Sequence, residues 1–292
     1  MSEVDTKKIF PAQRPDFGRT PWITGALYLE DGRILIADYN NARMFVYDED
    51  GVLLKEILLS GNPRDLTRFI QDLVVLTLPN EIMLQTLDID TLKLKDGVHV
   101  GYECSGITTY DERLVMACGN HVTIMNASWE ITGTMKIKYG DAVYISSDEM
   151  GKVYYTGYKT DALYCVNMDG VLIFAFTSLD LKFCRGISID SEGNVLVIGR
   201  WSHNILVISP EGILKEELMN LSDGLDYPLN VTYRKDSHSK FLILNNNGKN
   251  IMICEKSMDV KSSVTIDEQE QNDSTVLHEP AASEDIADNQ EE

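Results

Sequence analysis

The chain has 292 residues, a hydrophobic fraction of 43% and a formal net charge of −20. Its apolar runs are too short to span a bilayer, and its first residues lack the apolar stretch of a secretory signal, so we expect neither a membrane span nor secretion. Binding to nucleic acid relies on clustered Lys and Arg, and the overall charge argues against it.

A repeating unit begins early in the chain. After a candidate strand at residues 7–10, residues 31–39 (Asp-Gly-Arg-Ile-Leu-Ile-Ala-Asp-Tyr) are typical of an acidic-Gly turn followed by an apolar strand. Residues 44–51 add a second apolar run and a second acidic-Gly turn, and a third apolar run starts at Val52. Short β-branched and aromatic runs separated by such turns predict antiparallel hairpins.

Two later segments repeat this unit without a gap. Residues 150–158 and 163–170 follow the first copy at an offset of 119, and residues 192–200 and 205–212 follow it at an offset of 161. A fixed offset over more than twenty residues indicates copies of one structural unit.

Degenerate copies fill the remaining sequence. We take residues 81–85 and 113–117 as second strands of two further units, and residues 241–254 as two strands of a sixth. The predicted first strands then start at intervals of 36–46 residues, at Thr24, Ile70, Ile107, Val143, Ile187 and Val231. A four-stranded blade needs about 40–50 residues, so the sequence predicts an all-β, six-bladed β-propeller with four-stranded antiparallel blades.

Composition sets the predicted domain boundary. We assign residues 1–260 to the propeller and residues 261–292 to a disordered acidic tail, which carries one Lys, ten Asp or Glu and no aromatic residue. The tail has a net charge of −9, which leaves −11 on the propeller. The strand at 7–10 and Ser263–Ile266 compete to close the ring, and we favour the N-terminal strand.

The cysteines are spaced singly. An odd number without a C-x-x-C pair argues against a disulfide framework and against a zinc module. We therefore expect free, buried thiols and a reducing, cytoplasmic compartment. The five positions are Cys104, Cys118, Cys165, Cys184 and Cys254.

The repeat resembles a known family. Arg185–Asp190, Val195–Ile198 and Asn204–Gly212 resemble the blades of NHL-repeat propellers. Gly101–Ile107 and Gly170–Phe176 look like the diverged C-terminal propellers of tripartite-motif (TRIM) proteins that are abundant in invertebrates, notably molluscs. The resemblance implies a non-enzymatic module that recognises a protein partner, within a ubiquitin-ligase pathway.

The resemblance covers roughly residues 20–256. Tripartite-motif proteins also carry RING and B-box zinc modules followed by a coiled coil. No Cys/His cluster and no heptad run precede the first repeat here, so we expect no intrinsic ligase activity.

The sequence also allows an enzymatic alternative. No nucleophile elbow, P-loop, zinc-protease or EF-hand motif is visible, and we expect neither a cofactor nor a metal. The alternative is a metal-dependent lactonase of the six-bladed class, with oxygen ligands at the channel mouth. The residues before the predicted first strands would form that mouth: Glu103, Asp141, Arg185 and Asn230. The Arg185 cation would oppose metal binding there, so we rank this alternative second.

The loops between second and third strands share one face of a propeller. Seven of their residues are candidates for binding a partner: Tyr39, Arg43, Tyr158, Lys159, Arg200, Trp201 and His203. Tyr, Trp and Arg dominate interface hot spots, although Tyr39 and Tyr158 have the alternative of packing between blades.

From this locally basic face we predict recognition of a protein or peptide. Single-stranded RNA is a further alternative that the net charge disfavours. We expect no membrane partner, and the sequence leaves the oligomeric state open.

Overall fold

A computed structural model describes residues 3–12, 19–70, 72–158, 160–237 and 239–257, together with the backbone of a strand at 274–277. The helices of these ranges are single 3₁₀ turns at Tyr39–Asn41, Pro79–Glu81 and Leu221–Asp223. The described residues thus form no helix with the length and apolar character needed to cross a bilayer.

The strands of these ranges form six antiparallel sheets, which are the blades. Strand β1 is Val4–Pro11, and blade one contains β2 Ile23–Tyr28, β3 Ile34–Asp38, β4 Arg43–Tyr47 and β5 Leu53–Leu58. Blade two contains β6 Leu66–Phe69, β7 Leu73–Leu78, β8 Met83–Asp88 and two short strands, β9 Lys93–Leu94 and β10 Val98–His99. Blade three contains β11 Ile107–Tyr110, β12 Arg113–Ala117, β13 His121–Met125 and β14 Ile131–Lys136.

The second half of the ring repeats the same order. Blade four contains β15 Tyr144–Ser147, β16 Val153–Thr156, β17 Ala162–Val166 and β18 Leu172–Ser178. Blade five contains β19 Cys184–Ile189, β20 Val195–Gly199, β21 Asn204–Ile208 and β22 Leu214–Met219. Blade six contains β23 Asn230–Tyr233, β24 Lys240–Asn245 and β25 Asn250–Lys256, and a last strand, β26, is Ser274–Leu277.

The first strand of each blade faces the centre of the ring. Strands β2, β6, β11, β15, β19 and β23 contact one another in this order, and β23 returns to β2. The architecture is the predicted six-bladed propeller. Strand β1 pairs antiparallel with β25, from Val4 opposite Lys256 to Pro11 opposite Asn250, and is the outermost strand of blade six. The N-terminal strand therefore closes the ring, while the competing Ser263–Ile266 lies outside the described residues.

The predicted tail contributes one described element. Strand β26 pairs antiparallel with β18 and adds a fifth strand to blade four. The rest of residues 261–292 lies outside the described residues.

Buried apolar side chains fill the space between neighbouring blades. Within the described ranges, six clusters of such residues lie one between each adjacent pair of blades.

The acidic-Gly turns belong to this packing. Gly212 has a φ of 87°, and a Cβ there would lie 2.7 Å from Phe174 of the preceding blade. Gly51 has a φ of 75°, and its Cβ would lie 2.6 Å from Phe10 of blade six. Only glycine meets both conditions, which is why the motif recurs.

The second unit differs from the prediction by one strand. Ile70, the predicted start of its first strand, lies in the turn after β6, and residues 81–85 overlap the third strand rather than the second. The turn between β6 and β7 is closed by Asp72 with a φ of 57°, so the acidic-Gly signal is missing there. The other five predicted first strands start within an observed strand or one residue before it.

The expectation of five free thiols was wrong. Cys104 and Cys118 form a disulfide with their Cα atoms 4.1 Å apart. Cys104 precedes β11 and Cys118 follows β12, and the antiparallel pairing of these strands brings the two together. Cys165, Cys184 and Cys254 are free and buried. The expectation of a reducing compartment depended on unpaired cysteines and loses that support.

Candidate functional site

Two arginines lie where the first strands begin, on the face that also carries the loops between second and third strands. Arg64 and Arg185 occupy equivalent positions, each two residues before a buried residue that pairs with the second strand, Leu66 and Ile187. They belong to blades two and five, which are opposite one another in the ring. The fold therefore directs two cations toward the axis from opposite sides.

Arg64 lies among aromatic side chains. Its guanidinium is 5.3 Å from the ring centroid of Trp22 and 5.6 Å from that of Tyr158. It donates hydrogen bonds to the hydroxyl of Tyr158 and, at 3.4 Å, to the hydroxyl of Tyr144. These tyrosines come from blade four, so Arg64 reaches across the mouth of the channel.

Arg185 lies between two other ring faces. Its guanidinium is 4.7 Å from the centroid of Tyr158 and 3.9 Å from that of Phe183. Tyr158 therefore contacts both arginines. We call the following six residues the arginine–aromatic cluster: Trp22, Arg64, Tyr144, Tyr158, Phe183 and Arg185.

Neither guanidinium of the cluster has a counter-ion among the described residues. Arg64 and Arg185 are each only 6% exposed, and Arg185 donates to the carbonyl oxygen of Cys184 at 3.1 Å. The carboxylate next in sequence to Arg64, Asp65, accepts instead from the backbone N–H of Ile107 at 3.1 Å. Burial lowers the pKa of Arg185 below its ordinary value.

The cation–π contacts do not offset the cost of burying the two guanidinium groups. A buried ion costs on the order of several kcal/mol even after relaxation. A cation–π contact returns about 0.5–2 kcal/mol. The cluster is therefore a desolvated, positively charged site in which neither arginine forms an ion pair within the described part of the chain, although the charge of Asp65 acts on Arg64 at longer range.

The cluster continues outward to an exposed rim. The indole of Trp201 is 59% exposed and stacks on Phe183 at 4.2 Å between centroids. The guanidinium of Arg200 lies 5.6 Å from the ring of Tyr227 and donates to Asn247 at 2.5 Å. Its Nε is buried without a hydrogen-bond partner among the described residues. The structure thus brings Tyr158, Arg200 and Trp201 together as predicted neighbours on one face.

Three further predicted face residues have different surroundings. Tyr39 packs edge-on against Trp22 at 5.2 Å, and its hydroxyl accepts from the amide of Asn80 at 3.0 Å. His203 accepts at Nδ1 from the backbone N–H of Tyr227 at 3.1 Å, so it orders the loop. Lys159 lies outside the described residues.

Arg43 does not line the face. Its buried guanidinium forms ion pairs with Asp38 at 2.9 Å and Glu56 at 3.0 Å, and it lies 4.6 Å from the ring of Phe45. Asp38 and Arg43 are opposite residues of β3 and β4. This pairing across the hairpin satisfies both charges within the blade, so Arg43 has a structural role.

The four predicted mouth residues do not form a set of metal ligands. Glu103 and Asp141 are exposed, whereas Arg185 and Asn230 are buried. Asn230 uses both ends of its amide locally, accepting from the N–H of Val231 at 2.9 Å and donating to the carbonyl of Thr24 at 3.5 Å. In the described ranges, no group of three or more His, Cys, Asp or Glu side chains is placed to hold a metal ion.

A cavity of about 740 Å³ opens among the hairpin turns at the opposite end of the channel, and its wall extends to Tyr144 of the arginine–aromatic cluster. Two of its carboxylates, those of Asp148 and Asp190, are occupied by the hairpin turns that carry them. Asp148 accepts from the N–H groups of Met150 and Lys152 at 3.0 and 2.8 Å, and Asp190 makes the equivalent bonds in blade five. The wall is rich in hydroxyl groups, from Thr67, Thr108, Ser146, Ser188 and Thr232. We favour the arginine–aromatic cluster as the site, because neither of its guanidinium groups forms an ion pair within the described residues.

Asp65 lies in the channel wall and also lines this cavity. Burial raises the pKa of its carboxyl group to about 7, although hydrogen bonds from the backbone of Ile107 and Leu66 and the charge of Arg64 act in the opposite direction. The channel therefore holds a group that titrates near neutral pH.

Four members of the cluster were not predicted from the sequence: Trp22, Arg64, Tyr144 and Phe183. They lie at or just before first strands rather than in the loops between second and third strands. One signal was available for Arg64. Placing the second unit on Leu66 instead of Ile70 aligns Arg64 with Arg185.

No protein-family model and no curated protein matches this sequence. Solved structures are similar to it in fold. A virginiamycin B lyase from Staphylococcus aureus is 14% identical, with a TM-score of 0.62 over 89% of this chain and 90% of that chain. A streptogramin B lyase is 11% identical, with a TM-score of 0.64 over 86% and 98%. A protein of unknown function from Bacteroides thetaiotaomicron is 12% identical, with a TM-score of 0.67 over 87% and 76%. At these identities the likeness shows the fold alone.

Proposed function

We propose that this chain is a non-enzymatic protein-interaction module that recognises a partner through the face bearing the arginine–aromatic cluster. The observation that carries the proposal is the exposed indole of Trp201, stacked on Phe183 above the buried cation of Arg185. Exposed aromatic side chains beside arginine are the composition of interface hot spots.

The chemistry of the cluster supports binding rather than turnover. Its side chains are arginines and aromatic rings, without a carboxylate, imidazole or thiol to accept a proton. Burial raises the pKa of the Tyr158 hydroxyl, so this group stays protonated and serves as a hydrogen-bonding group rather than a general base.

The resemblance to tripartite-motif propellers supports a setting for this activity. In a ubiquitin-ligase pathway, such a domain would select the substrate, and the transfer chemistry would belong to other modules. The partner on this proposal is a protein, bound on the face that carries Trp201.

The experiment compares two variants that each remove one exposed side chain. Trp201→Ala removes the indole of the proposed face, and Met150→Ala removes a side chain that is 84% exposed at the opposite end of the channel. In affinity capture from extract, we expect Trp201→Ala to lower the affinity for the captured partner by roughly 30-fold, as for an interface hot spot.

The control Met150→Ala should capture the same partner as the wild-type protein, and both variants should unfold at the wild-type temperature. Full capture by Trp201→Ala would overturn the proposed face. Equal loss in both variants would do so as well, since it would show that capture is not specific to one face.

A further inference from the structure

Three arginines of the described ranges are similarly buried, and their surroundings differ. Arg43, like Arg64 and Arg185, is almost inaccessible to solvent. It is paired with Asp38 and Glu56, at 2.9 and 3.0 Å. The fold therefore supplies carboxylates where a buried guanidinium has a structural role. Arg64 and Arg185 lack such a partner in the described part of the chain, which points to a ligand.

The donors of the cluster converge. The guanidinium groups of Arg64 and Arg185 lie 5.6 and 4.7 Å from the same ring centroid, that of Tyr158. They extend from opposite blades, and Arg64 donates to the hydroxyl groups of Tyr144 and Tyr158. Around one position, the mouth thus offers two planar cationic donors and apolar ring faces.

We propose that Arg64 and Arg185 form a subsite for the carboxylate of an aspartate or glutamate side chain in the bound partner. This inference rests on the proposed function and names the feature of the partner that the face selects. The flanking rings of Trp201 and Trp22 would cover apolar residues beside that carboxylate.

Charge favours an acidic peptide over a nucleic acid. Guanidinium groups bind a planar carboxylate through paired N–H donors. A phosphate chain would bring many charges to a molecule with a net charge of −20. The exposed carboxylates of Glu103 and Asp141 precede first strands of the same face and would repel it further.

The first experiment uses the full chain and short probes. The ligand probe is the capped peptide acetyl-Ala-Leu-Glu-Leu-Ala-amide, and its control has Gln in place of Glu. We expect the Glu peptide to shift the side-chain NMR signals of Arg64 and Arg185 in a saturable way, with no shift from the Gln peptide. Inorganic phosphate and oligouridylate serve as the competing probes.

The second experiment tests the role of the cation. We expect Arg185→Met to weaken binding of the Glu peptide by about tenfold or more, because one of two buried donors is lost. Without peptide, it should unfold at the wild-type temperature or above, since an unpaired buried charge is removed. The matched variant Arg43→Met should lower the unfolding temperature by roughly 10 °C, because it leaves Asp38 buried without its partner.

Several outcomes would overturn the subsite. Equal binding of the Glu and Gln peptides excludes recognition of a carboxylate, and this comparison requires no variant. Tighter binding of phosphate or oligouridylate assigns the site to phosphate or RNA. Destabilisation of Arg185→Met as large as that of Arg43→Met makes Arg185 structural.

The two proposals fail separately. If Trp201→Ala loses the partner while Arg185→Met retains it, the face is correct and the carboxylate subsite is wrong. If Arg185→Met loses the Glu peptide while Trp201→Ala retains the partner, the subsite is correct and the proposed protein interface is wrong.

Discussion

At the scale of single residues, the channel changes the pKa of the carboxyl group of Asp65. Its pKa is about 7 in the folded protein, against an ordinary value of about 3.9. Between about pH 4 and pH 7, the folded state therefore holds a proton that the unfolded chain has released. The contribution of Asp65 to the free energy of unfolding falls as the pH rises through this window, and it is constant above the window.

Replacing this carboxyl group should remove the pH dependence that it causes. Asp65→Asn keeps an oxygen to accept the N–H of Ile107 but cannot ionise. As the pH rises from 4.5 to 8, we expect the free energy of unfolding of the variant to increase relative to that of the wild-type protein by on the order of 2 kcal/mol. This is less than the full difference in pKa implies, because Asp65 is only partly buried. Urea denaturation at both pH values measures this difference. A constant difference between the two proteins would show that Asp65 titrates normally.

The contrast between Arg43 and Arg185 limits what sequence can predict about a residue. Both lie at or near a strand end, and Arg43 was predicted on the loop face whereas Arg185 was predicted at the channel mouth. Arg43 is neutralised by Asp38, five residues away across a hairpin, which is a pattern that sequence could have revealed. The surroundings of Arg185 depend on Tyr158 from another blade and on Arg64 from the opposite one. Such neighbours become visible only when the ring is closed.

At the scale of elements, the strands were predicted correctly where the turns between them carried a recognisable motif. Where an acidic-Gly turn is packed under the preceding blade, as at Gly51 and Gly212, the strands were placed correctly. Where Asp72 takes the place of the turn glycine, the predicted unit shifted by one strand. The strand signal in that blade was strong, but the turn that fixes its register carried no recognisable motif.

The disulfide joins two such elements and should contribute to stability. It links Cys104, three residues ahead of β11, to Cys118, the residue after β12, with a sequence separation of 14. Closing a loop of this length restricts the unfolded chain by about 3 kcal/mol. We therefore expect the double variant Cys104→Ala, Cys118→Ala to lower the free energy of unfolding by about 2–3 kcal/mol, measured by denaturation without reductant.

Reductant provides the control for this prediction. It should lower the stability of the wild-type protein to a similar extent and leave the double variant unchanged. A wild-type protein that reductant does not affect would contradict the disulfide bond as a source of stability.

At the scale of the whole molecule, the repeat spacing predicted the six blades. It did not predict that arginines from two opposite blades would meet. Blades two and five place Arg64 and Arg185 at equivalent positions. A linear sequence shows these residues far apart, and only the circular order makes them opposite. The six-fold architecture was therefore predictable, and the two-sided cluster was not.

Ring closure through β1 should control the stability of all six blades. Phe10 is the buried anchor of this strand and packs against Tyr47 of blade one, with ring centroids 5.5 Å apart. We expect Phe10→Ala to lower the free energy of unfolding by about 3–5 kcal/mol, the usual cost of such a cavity. Denaturant unfolding followed by fluorescence measures the change.

The neighbouring residue supplies the matched control. Ile9 is 57% exposed on the same strand, so Ile9→Ala should change the stability by about 0.5 kcal/mol or less. If both variants behave alike, β1 is not the strand that holds the ring together.

The pairing of β1 with β25 also sets an order of events during synthesis. The ribosome makes Val4 first and its partner Lys256 more than two hundred residues later. Until then, β1 is an unpaired edge on the nascent chain, open to pairing with other chains. The strand carries its own protection, since the charged side chains of Asp5, Lys7 and Lys8 lie along it beside Phe10. Charged edges resist intermolecular pairing. These charged residues thus keep the closing strand available until blade six emerges.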